Sequence, residues 1–167
     1  MIIKSELLKT IQIYIQYFVW MMDVLSGDLG RSLWQNTPVT EQLALTLPIT
    51  FELGFLALLV ALSVAIPIGI YSAMRQDSMG DYITRSFSLL MLAVPSFWLA
   101  TLVMVFPSVW WRWAPPLQYT PFLEDPVANL AHMSVPSILL GLSLSAVTMR
   151  MTRTMMLEVL RQDYIRT

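Results

Sequence analysis

The sequence predicts an all-α fold, a polytopic transmembrane helical bundle with three spanning helices, and three observations carry that prediction. Apolar residues make up 56% of the chain and charged residues 13%, with a mean hydropathy of +0.63. Soluble globular chains run at about 45–50% and about 25%, so this much apolar surface has no place in a water-facing globule of 167 residues. The charges are also bunched: 53–74, 86–111 and 126–149 are runs of 22, 26 and 24 residues without a formal charge, His132 counted neutral. A bilayer core about 30 Å thick takes about 20 helical residues, and all three runs meet that length. Finally, "LGFLALLVALSVAIPIGIY" (53–71) lacks the polar stripe that a helix of a soluble bundle shows at every turn.

Residues 1–47 read as an extracytoplasmic, periplasmic segment. Within it "SELLKTIQIYIQYFVWMMDVL" suits an amphipathic helix lying on a membrane surface, with Tyr14, Tyr17 and Trp20 at headgroup level. Glu6 and Lys9 interrupt any signal-peptide core. The stretch "SGDLGRS" then supplies turn chemistry through Gly27, Asp28 and Gly30. It lacks the lysine and the preceding strand of a phosphate-binding loop, so a surface turn is the better reading.

Residues 48–167 form the transmembrane part, with spans at about 48–73, 86–109 and 134–156. Pro48 suits the first turn of the first span, where a missing N–H costs nothing. Pro67 lies inside that span and should kink it; Pro95, in "AVPSFWLA", interrupts the second. Both offer irregular backbone that could line a path. Trp110, Trp111 and Trp113 form an aromatic belt where the chain leaves the lipid, and residues 114–133 read as a proline-rich loop. Ser134 is the expected cap of the third span, with Pro136 in its first turn. Gly54, Ala57, Ala61 and Ala65 recur at helical spacing and give one face that permits close helix approach.

Orientation follows from the basic residues. The 74–85 link and the C-terminal end share one side and carry Arg75, Arg85, Arg150, Arg153, Arg161 and Arg166. The other side carries Lys4, Lys9, Arg31 and Arg112, the two lysines far from any span, so the link and the C-terminus face the cytoplasm. The N-terminal segment then lies outside with no signal peptide to carry it there, which implies an upstream segment.

Residues fit for catalysis are few. The net charge of −1 argues against a nucleic-acid partner, and the absence of cysteine removes thiolate sites and nucleophiles. His132 is the single histidine, which excludes histidine-rich metal sites; a loop or interface role fits it better than ligation. No His or Lys stands within the spans to activate a serine. Glu52 is placed in the first turn of its helix, where the dipole favours it, and structural anchoring outweighs substrate binding. Met149, Met151, Met155 and Met156 cluster, but adaptable packing accounts for them. The closing stretch "LEVLRQDYIRT" continues the third helix with Glu158–Arg161 and Asp163–Arg166 at i,i+3. A polar helix leaving the membrane in this way is what a membrane subunit presents to a soluble partner.

Four stretches together carry a family resemblance: "GDLGRSLWQNTPV" (27–39), "LPITFELGFLALLVALSVAIPIGI" (47–70), "DYITRSFSLLMLAVPSFWLA" (81–100) and "RMTRTMMLEVLRQDYIRT" (150–167). With them the chain resembles the permease subunits of binding-protein-dependent ABC importers, in the dipeptide/oligopeptide/nickel branch. In that family the closing stretch leads into a cytoplasmic coupling helix, of which Arg166 and Thr167 are present here. The resemblance implies a type I importer permease, apparently an internal piece of a protein about twice this length, that forms a translocation path and couples to a separate ATPase. It places Arg161, Asp163, Tyr164, Arg166 and Thr167 at the ATPase contact. It implies a second permease subunit, two ATP-binding subunits and a periplasmic substrate-binding protein as partners, in a bacterial inner membrane. No cofactor is expected on this chain and no enzymatic activity; ATP is used by the partner. Dipeptide, longer peptide, nickel chelate and glutathione all stay open as substrates. A small membrane scaffold or regulator, or a nonfunctional permease fragment, are the alternatives.

Overall fold

The computed structural model describes residues 13–116 and 118–162. The described residues are helical, with no strand beyond one isolated bridge between Arg31 and Pro38. Five helices follow one another: α1 (Ile13–Leu25), α2 (Val39–Met74), α3 (Met79–Ala93), α4 (Ser96–Trp111) and α5 (Pro126–Leu160). The chain divides into two compact units, Met1–Thr50 and Phe51–Thr167.

In the first unit, α1 exposes Ile13, Tyr14, Tyr17, Phe18, Trp20, Met22 and Leu25, apolar groups spread round the helix rather than along one stripe. Its end is set by Gly27. The Gly27 amide donates to the Val24 carbonyl and the Asp28 amide to that of Asp23, the paired closure of a Schellman motif, and Gly27 has the positive φ (89°) that this closure requires. Asp28 Oδ1 then accepts from the Gly30 amide at 2.9 Å, and residues 30–39 close into an ordered loop through Ser32 N to Thr37 O and Val39 N to Gly30 O. The turn expected at Gly27, Asp28 and Gly30 is therefore a helix stop followed by an Asx turn.

In the second unit, three helical passes run side by side. The predicted small-residue face is present and extends further: Ala57, Ala61, Ala65, Gly69 and Ser72 form the buried stripe of α2. Gly54 is not part of it and has open space where a Cβ would stand. Facing the stripe, α5 buries Gly141, Ser145, Ala146 and Met149. The approach is close enough that a Cβ on Gly141 would lie 2.6 Å from Val60 Cβ and 2.8 Å from the Ala57 carbonyl oxygen. Small residues are what allow two membrane helices to meet backbone to backbone.

The second span is broken. Helices α3 and α4 meet at a bend of 95°. Val94 there is extended (φ −87°, ψ 122°), as a residue before proline prefers, and Pro95 precedes the first turn of α4. The bent pair nevertheless crosses the unit from end to end. At the start of α3, Asp81 meets Ser72 of α2 and Arg153 of α5. Beyond the end of α4, Tyr119 meets Glu52 of α2, and Pro116 meets His132 of α5. Glu52 to Ser72 along α2 is about 30 Å at about 1.5 Å per residue, one bilayer core. Helices α2 and α5 are each long and apolar enough to cross a membrane, and the bent pair α3–α4 makes a third crossing if its two halves count as one span.

Several expected boundaries are corrected. The helix that carries the first span begins at Val39, so Pro48 and Glu52 lie inside the helix rather than in its first turn. The third begins at Pro126: the Asp125 carboxylate accepts from the Val127 and Ala128 amides, each at 3.0 Å, and caps it. Ser134 therefore caps nothing, Pro136 is interior, and residues 126–133 are helix rather than loop. The link after α2 is shorter than 74–85, because Ser78 caps α3 by accepting from the Asp81 amide at 3.3 Å. Both late starts have one cause. Proline was read as a helix-opening residue, whereas membrane helices tolerate it inside. Helix α2 runs unbroken through Pro67.

Candidate functional site

The break at Val94–Pro95 opens a cavity of about 420 Å³ between α4 and α5. Ser96, Phe97, Ala100 and Met104 line it from α4, one turn after another; Val135, Pro136, Leu139 and Leu140 line it from α5; Leu53 and Pro115–Pro116 complete it. Its lining is apolar but for Ser96 and His132. Geometry explains why it exists. Two helical halves at 95° to each other cannot both lie along one neighbouring helix, which leaves space beside the bend. Pro95 sits at the bend, and the residues that follow it line the cavity. Pro67 is exposed on α2 and is not among the lining residues.

The loop after α4 roofs the same end of the unit. His132 Nδ1 lies 2.7 Å from the Pro116 carbonyl oxygen, Asn129 donates to the Thr120 carbonyl at 2.9 Å, and Tyr119 donates to Glu52 Oε2 at 3.0 Å. Burial, then the hydrogen bond and charge of Glu52, raise the Tyr119 phenol above its ordinary pKa. Glu52 thus anchors the loop, as the structural reading had it. Its other oxygen, Oε1, is buried with no hydrogen-bond partner among the described residues. His132 stands on a helix, not in a loop, with its ring edge-on to Tyr119. Among the described residues no group of His, Cys, Asp or Glu could hold a metal ion.

At the opposite end lies a cluster that sequence reading missed. Asp81 is fully buried. Its Oδ1 accepts from Arg153 Nε at 2.8 Å and from the Ser72 hydroxyl; its Oδ2 accepts from Arg153 Nη2 at 2.9 Å and from the Asp77 amide at 3.0 Å. The two-pronged Arg153–Asp81 pair is the strong form of a charge-assisted contact. It joins α3 to α5, and Ser72 adds α2, so one carboxylate holds all three passes at one level. Arg85 Nη2 reaches Asp81 Oδ2 at 3.0 Å, one turn along α3. The sequence does hold a signal for this: Arg85 and Arg150 bound apolar runs, and Asp81 and Arg153 lie within about one turn of them, where a charge needs a partner.

The expected ATPase contact is only partly described. Arg161 ends α5, its amide donating to the Glu158 and Val159 carbonyls, and its side chain makes no ion pair with Glu158 among the described residues. Asp163, Tyr164, Arg166 and Thr167 lie outside the described residues.

Two long apolar helices and a bent apolar pair over a cavity, joined by a buried ion pair, define a polytopic α-helical membrane protein. Residues 65–167 match the family model described as "Binding-protein-dependent transport system inner membrane component". The chain belongs to that family of membrane permeases, whose members are transport components rather than enzymes. A Brucella suis biovar 1 protein named as a peptide transport system permease is 40% identical over 153 residues, covering 92% of this chain and 49% of its own length. The dipeptide transport system permease proteins DppB of Alkalihalophilus pseudofirmus and Escherichia coli K12 are each 33% identical, over 180 and 175 residues, covering 92% and 91% of this chain and 52% of their own lengths. The chain therefore spans about half the length of the curated relatives it matches.

Proposed function

We propose that this chain is part of the permease subunit of an ATP-driven importer for peptides, and that its translocation path passes the break at Pro95. The observation that supports this most is the broken apolar span over an apolar cavity, found in a chain whose relatives are named for peptide and dipeptide transport. Irregular backbone at membrane depth is tolerated only where protein buries it or a cavity takes it, and transporters place their paths at such breaks.

The subunit pairs with a second permease, two ATP-binding subunits and a periplasmic substrate-binding protein in a bacterial inner membrane. ATP is bound and hydrolysed by the partner. The cytoplasmic side is the one that holds Arg85, Arg150 and Arg153, and residues 1–47 are the extracytoplasmic segment. The ATPase docks at Arg161 and the residues that follow it, through Thr167. The ion pair at Asp81 fits that role, because it fixes the three passes to one another just before the chain reaches the docking region.

Disrupting the gene in its host is expected to abolish uptake of a radiolabelled di- or tripeptide, and the intact gene to restore it. Peptide uptake unchanged in the disrupted strain, measured where it is the sole source of a required amino acid, overturns the peptide reading.

A further inference from the structure

We infer that the surface between α3 and α5 beside the Asp81 cluster is a binding site for the phosphate of an anionic phospholipid. A cleft of about 360 Å³ there is lined by Arg85 and Leu89 of α3 and by Arg150, Arg153 and Thr154 of α5. Three guanidinium groups in one cleft need anionic acceptors, and among the described residues only Asp81 and Asp77 supply them. Asp81 already accepts four hydrogen bonds, from Ser72, the Asp77 amide and twice from Arg153. A carboxylate offers about four lone-pair sites, so it is full. Arg85 sits at ion-pair distance from it and stacks its guanidinium on the Tyr82 ring, 4.6 Å from the centroid, yet its Nε and Nη2 make no hydrogen bond among the described residues. Asp77 lies farther off, 3.7 Å from Arg85, and is largely exposed. Arg150 is exposed and has no ion pair among the described residues.

The missing partner therefore carries several oxygens and negative charge, as a phosphate does. The surroundings show what the phosphate is attached to. Leu89 and Leu92, one and two turns deeper on the Arg85 face of α3, are exposed apolar groups, as is Val147 one turn deeper than Arg150 on α5. A headgroup between the arginines would place its acyl chains along these residues. Basic pockets between membrane helices on the cytoplasmic side hold anionic headgroups in this way.

The test uses the full polypeptide that carries these residues, purified in a mild detergent, with lipid binding read by native mass spectrometry. Phosphatidylglycerol is expected to bind and phosphatidylcholine not to. Arg150→Gln, at an exposed residue outside the buried cluster, is expected to weaken phosphatidylglycerol binding about fivefold, the factor for one basic group at an anionic surface. Arg150→Lys is expected to keep most of it. Equal phosphatidylglycerol binding by wild type and Arg150→Gln overturns the proposal. So does displacement of the lipid by an equal concentration of inorganic phosphate, which would mark a soluble anion as the ligand.

Discussion

Replacing Asp81 with alanine is expected to destabilise the protein by about 3–5 kcal/mol, the usual cost of leaving one member of a buried ion pair alone. Asp81 is fully buried, and Arg153, whose side chain is 18% exposed, would keep its charge with no carboxylate to receive it. Ser72 and the Asp77 amide would lose their acceptor as well. The effect should appear as a lower thermal midpoint in detergent and as faster proteolysis of the link between α2 and α3. A double variant, Asp81→Leu with Arg153→Met, should recover much of the loss, because replacing both charges with apolar groups removes the desolvation cost with the pair. If Asp81→Ala shifts stability by less than about 1 kcal/mol, the size of an ordinary surface pair, the cluster is not the clamp described here.

The second large effect is steric and lies at the contact of α2 with α5. Gly141→Ala is expected to cost about 1–3 kcal/mol, the range for overfilling a packed interior. The new methyl would meet Val60 Cβ at 2.6 Å and the Ala57 carbonyl at 2.8 Å. Neither is the end of a flexible side chain, so the helices must separate. Gly141→Leu should cost more. Gly54→Ala, on the same helix as Val60 but facing open space, should be neutral or stabilising by up to about 1 kcal/mol through helix propensity. Comparing the two glycines by thermal unfolding separates close packing from a general effect of removing glycine.

How much of this was legible in the sequence depended on the range of the interaction. The apolar runs marked the membrane helices because bilayer thickness acts on each segment alone. Ala57, Ala61 and Ala65 were legible as a packing face because helical spacing is local; that Gly54 leaves the stripe and Gly69 joins it depends on where α5 crosses. Pro95 announced an interruption, but the bend and the cavity inside it arise only when α4 must leave a straight α5. The starts of α2 and α5 were placed late since a proline inside a lipid-embedded helix looks the same in sequence as one that opens it. Asp125, the true cap, stands in a stretch whose prolines read as loop. Asp81 and Arg153 were counted only as topology or passed over, since 72 residues of chain separate them and only the folded bundle brings them together.

The proposed translocation path runs through the cavity beside Pro95. These 167 residues contain no cysteine, so single cysteines placed in them report cleanly. In the assembled transporter, Ala100→Cys and Leu139→Cys should react with a hydrophilic maleimide at rates that change between the nucleotide-free and ATP-trapped states, and a transported peptide should slow the reaction. Leu58→Cys, an exposed position on α2 outside the cavity lining, serves as the control and should stay unreactive in both states. If Ala100→Cys and Leu139→Cys are as inert as Leu58→Cys in every state, the path lies elsewhere and the break at Pro95 is only a matter of packing.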